Sequence, residues 1–296
     1  MNTKIIVCCH KETELPHDPN FIPIQGGRKI AQAKLPMQGD DTGDNISELN
    51  PFFCELTAQY WAWKNLKGVD IIGLCHYRRF FKLSGGCGRT YRLRSIEHKD
   101  IDTRLIPNVM KGHDLILPKP SIWAKAMYDL FSANVTGQQM QIFVRTFAKM
   151  HPEYQTAMVS YLNGNRYTGC NMAIMPWELF CQYNEFLFPV LFKVREHLKP
   201  LPYSYYNRAL GMFAEILLPV WCKANNLKAK QVPVILLSAQ QGQSQGYMTA
   251  MLPKYVATMA NETMKNLKYT LANRRKNSTY ISPFWDQYFA NDGIAL

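Results

Sequence analysis

Arg78 and Arg79 follow His76 and Tyr77 directly after the apolar run Val69–Cys75, and a second basic pair, His10-Lys11, follows the run Lys4–Cys9. Guanidinium groups beside an imidazole can neutralise a diphosphate through charge-assisted, partly bidentate hydrogen bonds. A solvated basic turn uses the same residues, and position alone divides the two readings evenly. The stretch Asp40-Asp41-Thr42-Gly43-Asp44-Asn45 is acidic in a basic chain. It offers oxygens to a divalent cation, or to the hydroxyls of a nucleoside or sugar. It lacks the full spacing of a calcium loop, and a capped turn with solvated carboxylates is the commoner use of such residues. Glu215 sits inside the apolar run Gly211–Leu218, where a carboxylate needs a partner or a function. Arg208, about two helical turns earlier, is a candidate partner. Tyr60, Trp61 and Trp63 could stack on a sugar, but helical spacing favours the core, for Trp63 at least. His113-Asp114 precedes a strand and reads as a turn.

These groups need elements that bring them together. Lys4–Cys9 and Val69–Cys75 have the continuous apolar character of strands buried on both faces. Between them Asn50 can cap and Pro51 can open a helix whose apolar positions Phe53, Leu56, Tyr60 and Trp63 share one face, ending near Lys64-Asn65 and Gly68. The acidic stretch Gly39–Asn50 then belongs to an ordered surface loop. Further strands are expected at Leu115–Leu117, Asn171–Met175 and Val232–Leu237. Helices are expected over Ala126–Met150 with a break near Gly137, from Pro176 to about Leu198 with a kink at Pro189, and over Ala209–Asn225. Alternating strands and helices predict an α/β fold, a mostly parallel twisted sheet with helices on both faces. In such sheets ligands sit beyond the carboxyl ends of the strands, so adjacent first and second strands would bring both basic pairs to one crevice.

Composition narrows the partners. The 296 residues are 47% hydrophobic and 19% charged, and the formal net charge is +12. A globular chain of this balance attracts a phosphorylated small molecule, an anionic membrane surface or nucleic acid. No RNA-binding aromatic signature, zinc finger or helix-turn-helix accompanies the charge, so nucleic acid is not an expected partner. No apolar run is long enough to cross a bilayer, and Met1–His10 reads as a buried strand, not a signal peptide. Eight cysteines without paired spacing read as reduced thiols of a cytoplasmic protein. Residues 1–237 form the predicted domain. Residues 238–296 comprise a Ser/Gln/Gly-rich linker and a basic segment with Tyr280, Phe284, Trp285, Tyr288 and Phe289, suited either to packing on the body or to resting on the inner face of the bacterial inner membrane. No pattern specifies an oligomer.

The blocks DDTGDNIS (Asp40–Ser47), CELTAQYWAWKN (Cys54–Asn65) and GLCHYRRFF (Gly73–Phe81) resemble a bacterial family catalogued as a domain of unknown function. HDLILPKP (His113–Pro120), NMAIM (Asn171–Met175) and RALGMFAEILL (Arg208–Leu218) continue the match, which covers roughly Lys4 to Leu237. Its members occur in capsule and lipopolysaccharide gene clusters, and some are β-galactofuranosyltransferases of GT-A-type fold. The resemblance implies a nucleotide-sugar donor, with UDP favoured, and a glycan or lipid-linked glycan acceptor.

The resemblance also implies roles. His10, Lys11, His76, Tyr77, Arg78 and Arg79 would lie at the donor nucleotide and its diphosphate. Asp40, Asp41, Asp44, Asn45 and Asn171 would lie on the nucleoside or donor sugar. Glu215 would be the general base of an inverting transfer, with Asp129 second. Many GT-A enzymes hold the diphosphate through a metal on an Asp-x-Asp motif, and here a comparable strand ends in His-Tyr-Arg-Arg. The favoured reading is that arginine replaces the metal and no cofactor is required; Mn2+ or Mg2+ on Asp40, Asp41 and Asp44 is the alternative. Two departures from the family pattern, Ile216 where an arginine is usual and no histidine within Phe131–Gln139, are expected on the acceptor side. A binding protein of the same fold without turnover is the competing function.

Overall fold

The computed structural model describes residues 1–13, 15–200, 207–237 and 260–271. Its strands are β1 (Thr3–Cys9), β2 (Phe21–Gln25), β3 (Gln38–Gly39), β4 (Ile71–His76), β5 (Arg79–Phe81), β6 (Thr90–Leu93), β7 (Leu115–Pro118), β8 (Ser121–Ile122), β9 (Arg166–Tyr167), β10 (Ala173–Pro176), β11 (Ala229–Val232) and β12 (Val234–Leu237). The main sheet has the order β11-β7-β10-β4-β1-β2-β3. It is parallel except for β10, which runs antiparallel to both β4 and β7. The α/β, mostly parallel expectation is therefore met, with one reversed strand inside the sheet.

The apolar runs of β1 and β4 follow from burial on both sides. Ile6, Ile72 and Leu74 face one core, while Ile5, Val7, Cys9, Ile71 and Cys75 face the other. The first core is closed by the helices Leu56–Asn65, Gly137–Met150, Gln155–Asn163, Trp177–His197 and Ala209–Ala224. The second lies under the short helices His98–Ile101 and Ile106–Met110 and the small layer of β5 and β12. Both faces carry helices, but very unequally.

Several expected elements change form. The helix predicted to run on from Pro51 is broken: Asn50–Phe53 ends at Cys54, whose φ is +53°, and a new helix starts at Leu56. The predicted strand Val232–Leu237 is split by Pro233, which cannot donate to a ladder. β11 joins the main sheet beside β7, and β12 crosses to β5 and β6. The break near Gly137 is real and carries a capping box between Thr136 and Gln139. Trp63 stacks on Phe188 with ring centroids 5.7 Å apart, and Trp61 is buried with its indole N–H on the Thr42 hydroxyl. The aromatic trio is thus mainly packing. The aromatic residues from Tyr280 to Phe289 lie outside the described residues.

Candidate active site

β1 and β4 are parallel neighbours with Cys8 opposite His76, so His10-Lys11 and Tyr77-Arg78 leave the sheet side by side. The His10 ring meets Tyr77 edge-on at 4.5 Å. Lys11 Nζ lies 5.7 Å and the Arg78 guanidinium 5.0 Å from the same Tyr77 ring. One tyrosine thus gathers three basic side chains. Burial, and then the charges of Lys11, Arg78 and Arg208, lower the His10 pKa from its ordinary 6.5. Lys11, Arg78 and Arg79 form no ion pair among the described residues. Such a cluster attracts an anion.

The arginine turn is fixed at both ends. His76 pairs with Arg79 across the tight β4–β5 hairpin, Arg79 pairs with Leu236 of β12, and the Leu237 N–H donates to the Arg78 carbonyl at 2.9 Å.

Glu215 lies on the Ala209–Ala224 helix, within reach of the Arg79 charge. Its Oε2 accepts from the Tyr167 hydroxyl and its Oε1 from the Cys170 N–H, each at 2.6 Å. These two groups donate to Glu215, for which the sequence offers Arg208 as a candidate partner. Arg208 directs Nε to Cys54 Sγ at 3.3 Å. Burial pushes the Glu215 pKa up to about 7 from 4.5; the Tyr167 hydrogen bond opposes the rise and the Glu55 charge adds to it. The Tyr167 phenol is itself pushed far up by burial and by Glu215, so it stays a donor.

Cys170 and Asn171 connect the two halves. Both have positive φ, +71° and +49°, a costly backbone for side-chain-bearing residues. The turn aims the Cys170 N–H at Glu215, while the Cys170 carbonyl accepts from His76 Nε2 at 2.7 Å, so that nitrogen carries the imidazole proton. Asn171, expected on the donor, instead uses its amide nitrogen on Glu55 (2.8 Å) and on the Gly211 carbonyl (3.0 Å). It positions a second carboxylate.

Glu55, Arg208 and Glu215 open into one cavity of about 380 Å³, with Trp123, Phe131 and Asn134 on its other walls. Two carboxylates, one guanidinium and aromatic walls suit a polyhydroxylated ring. Asp129 lies on the same short helix as Phe131 but is not in the wall. Ile216 is 0% exposed in the first core, so that departure is a packing change and not an acceptor contact.

The acidic loop also proves structural where it matters most. Asp40 is 0% exposed, and its carboxylate accepts from the Gly27 N–H (2.8 Å), the Arg28 N–H (3.0 Å) and the Ser47 hydroxyl. Gly27, with φ +68°, supplies the left-handed turn that aims these amides. Asp41 turns to Arg28 at 3.9 Å, and Asp44 accepts from the Tyr60 hydroxyl at 3.2 Å. Asn45 folds back on Gly43 and Ser47. The three aspartates therefore do not converge as cation ligands. Among the described residues the group close enough to share a cation is Asp18, His98 and Asp102, away from this site, and its carboxylates already take Asn20, Thr103 and Arg104 as donors. Asp40→Ala is expected to lower unfolding free energy by roughly 3 kcal/mol, since three donors, two of them buried, lose their acceptor; urea midpoints measure it, and a shift near zero would remove the clamp role.

The sequence pattern did not single out Tyr167 or Trp123, and it gave Glu55 no part in a site. Glu55 follows the unforeseen break at Cys54, which turns it from helix surface to cavity wall.

A solved structure shares this fold. The solved apo structure of WbbM, described as a bifunctional glycosyltransferase, superposes with a TM-score of 0.75 over 84% of this chain at 27% identity. The overlap is 48% of that protein's chain, so the present chain spans about half of its length. The shared fold is the α/β, GT-A-like one. Among curated proteins nothing matches. A family model, domain of unknown function DUF4422, matches residues 4–226, and the chain belongs to that family.

Proposed function

We propose that the chain is a glycosyltransferase that moves a hexose from a nucleoside-diphosphate donor to a hydroxyl of a surface glycan. The observation that carries the reading is Glu215: a half-buried carboxylate whose pKa is pushed up to about 7, on the wall of a sugar-sized cavity and within reach of the Arg79 charge. The diphosphate lies against Arg78, Arg79 and Lys11, and the acceptor ring lies in the cavity beside Trp123. The acceptor O–H loses its proton to Glu215 as its oxygen attacks the anomeric carbon. The bond from that carbon to the diphosphate oxygen breaks, and the electron pair leaves with the phosphate, where the guanidinium groups meet the new charge. A single displacement inverts the anomeric centre.

The family match and the glycosyltransferase named among similar structures support a donor–acceptor pair of this class. We favour a UDP-linked donor, galactofuranose among the hexoses, a capsule, O-antigen or lipooligosaccharide acceptor, and a cytoplasmic site of action. The cationic turn favours transfer without a metal cofactor. No described helix is long and apolar enough to cross a membrane.

Incubation with UDP-, GDP- and CMP-sugars, with and without manganese, tests the reading. Release of nucleoside diphosphate from one donor, dependent on a glycan acceptor and surviving chelator, is expected. Tight donor binding without release would favour the binding-protein alternative, and loss of activity with chelator would overturn the metal-free form.

A further inference from the structure

The helix formed by residues 260–271 meets the body through its polar side. Glu262 pairs with Arg89 at 3.7 Å, Lys265 lies 5.8 Å from the Trp123 ring, Asn165 donates to Asn266 at 3.0 Å, and the Tyr269 hydroxyl donates to the Asn163 carbonyl. At 3.6 residues per turn these positions share one face. Met264, Leu267 and Leu271 form a stripe on the opposite face and are 53%, 50% and 50% exposed. The usual amphipathic arrangement is reversed, with polar contacts inward and apolar side chains outward. Lys268 borders the stripe, and the sequence goes on to Arg274-Arg275-Lys276.

We propose that this face rests on an anionic phospholipid surface, with Met264, Leu267 and Leu271 entering the headgroup boundary and Lys268 meeting lipid phosphates. Apolar side chains flanked by lysine on an interfacial helix bind in this way, and the net charge of +12 adds attraction. A second copy of the chain is the weaker occupant. Three side chains fall far short of the 20–30 residues per side of a stable interface, and the copy would bring the same positive charge.

The binding stands independently of the transfer reading, but one consequence rests on it. Lys265 lies over Trp123, which lines the cavity, and Asn165 is held by both Trp123 and Asn266. The cavity mouth would then open beside the membrane, where a lipid-linked acceptor can enter.

Sedimentation of the full chain with phosphatidylglycerol/phosphatidylethanolamine vesicles tests the proposal, with phosphatidylcholine vesicles as the uncharged control. The chain is expected to partition into the anionic vesicles only. Met264→Gln/Leu267→Gln/Leu271→Gln should weaken that partition at least ten-fold, and Lys268→Gln about five-fold. Circular dichroism checks that the helical content is kept. Equal partition of the triple variant, equal binding to both lipids, or a wild-type dimer that the triple variant abolishes would overturn it. Turnover on a lipid-free acceptor should stay at the wild-type level in the triple variant, which separates failure here from failure of the transfer reading.

Discussion

Glu215→Gln is expected to lower kcat by about 10³-fold while leaving the fold intact, the loss typical of removing a positioned general base. The substitution is nearly isosteric and its hydrogen bonds can be kept. The amide oxygen can accept from the Cys170 N–H, and the new amide can donate to the Tyr167 oxygen, which has a lone pair to give. A drop in rate therefore reports chemistry and not collapse of the pocket. Wild-type kcat/KM should rise with pH through about 7, because only the ionised carboxylate accepts the proton. Tyr167→Phe removes a hydrogen bond that holds the pKa down, so its acid limb should move to higher pH. Asp129→Asn, off the cavity wall, should stay within a few-fold of wild type. Near-wild-type turnover of Glu215→Gln would eliminate the assignment.

The same carboxylate has a stability cost whose sign is opposite to that of an ordinary paired glutamate. Its folded pKa of about 7 lies above the ordinary 4.5, so between these values the native state holds the proton more tightly than the unfolded chain. Stability from this group is full below about pH 4.5 and is lost as pH rises through 7, with a ceiling of roughly 3 kcal/mol. Glu215→Gln should therefore melt several degrees above wild type at pH 8, with the gap closing towards pH 5. Higher stability together with lost turnover is a combination that a purely structural carboxylate would not give.

Much of the frame was legible in the residues. β1 and β4 could be placed because strands buried on both faces need unbroken apolar runs, and their polar ends then had to meet at one sheet edge. The basic crevice followed from that logic, and Glu215 stood out separately as a carboxylate inside an apolar run. The clamp at Asp40 was not legible, because the donors that claim its carboxylate include backbone amides of Gly27 and Arg28, twelve or thirteen residues earlier, and backbone groups leave no trace in composition. Glu55 was hidden for a related reason. The Cys54 break is a positive-φ residue that is not glycine, held by its surroundings, so Pro51 and the apolar spacing pointed to one continuous helix. Trp123, Tyr167 and Arg208 come from three distant segments, and only the tertiary fold makes them neighbours.

Arg78 and Arg79 adjoin in sequence but should fail in different ways when neutralised. Arg78 is exposed, packs on Tyr77 and contributes to the field on His10. Arg79 is half-buried in β5, and its charge helps to hold the Glu215 pKa down. Both should bind the diphosphate, so Arg78→Gln and Arg79→Gln should each lower kcat/KM for the donor by about 10²-fold, the scale of a lost charge-assisted contact. Only Arg79→Gln should also move the acid limb of the pH profile upward, because Glu215 loses a favourable charge. Lysine at position 79 should restore the limb more fully than donor affinity, since it returns the charge without the planar fork. If both glutamine variants keep wild-type donor KM and kcat, the guanidinium groups do not face the leaving diphosphate. If Arg78→Gln shifts the limb and Arg79→Gln does not, the coupling runs through the exposed arginine, and the path from the turn to Glu215 has been assigned to the wrong side chain.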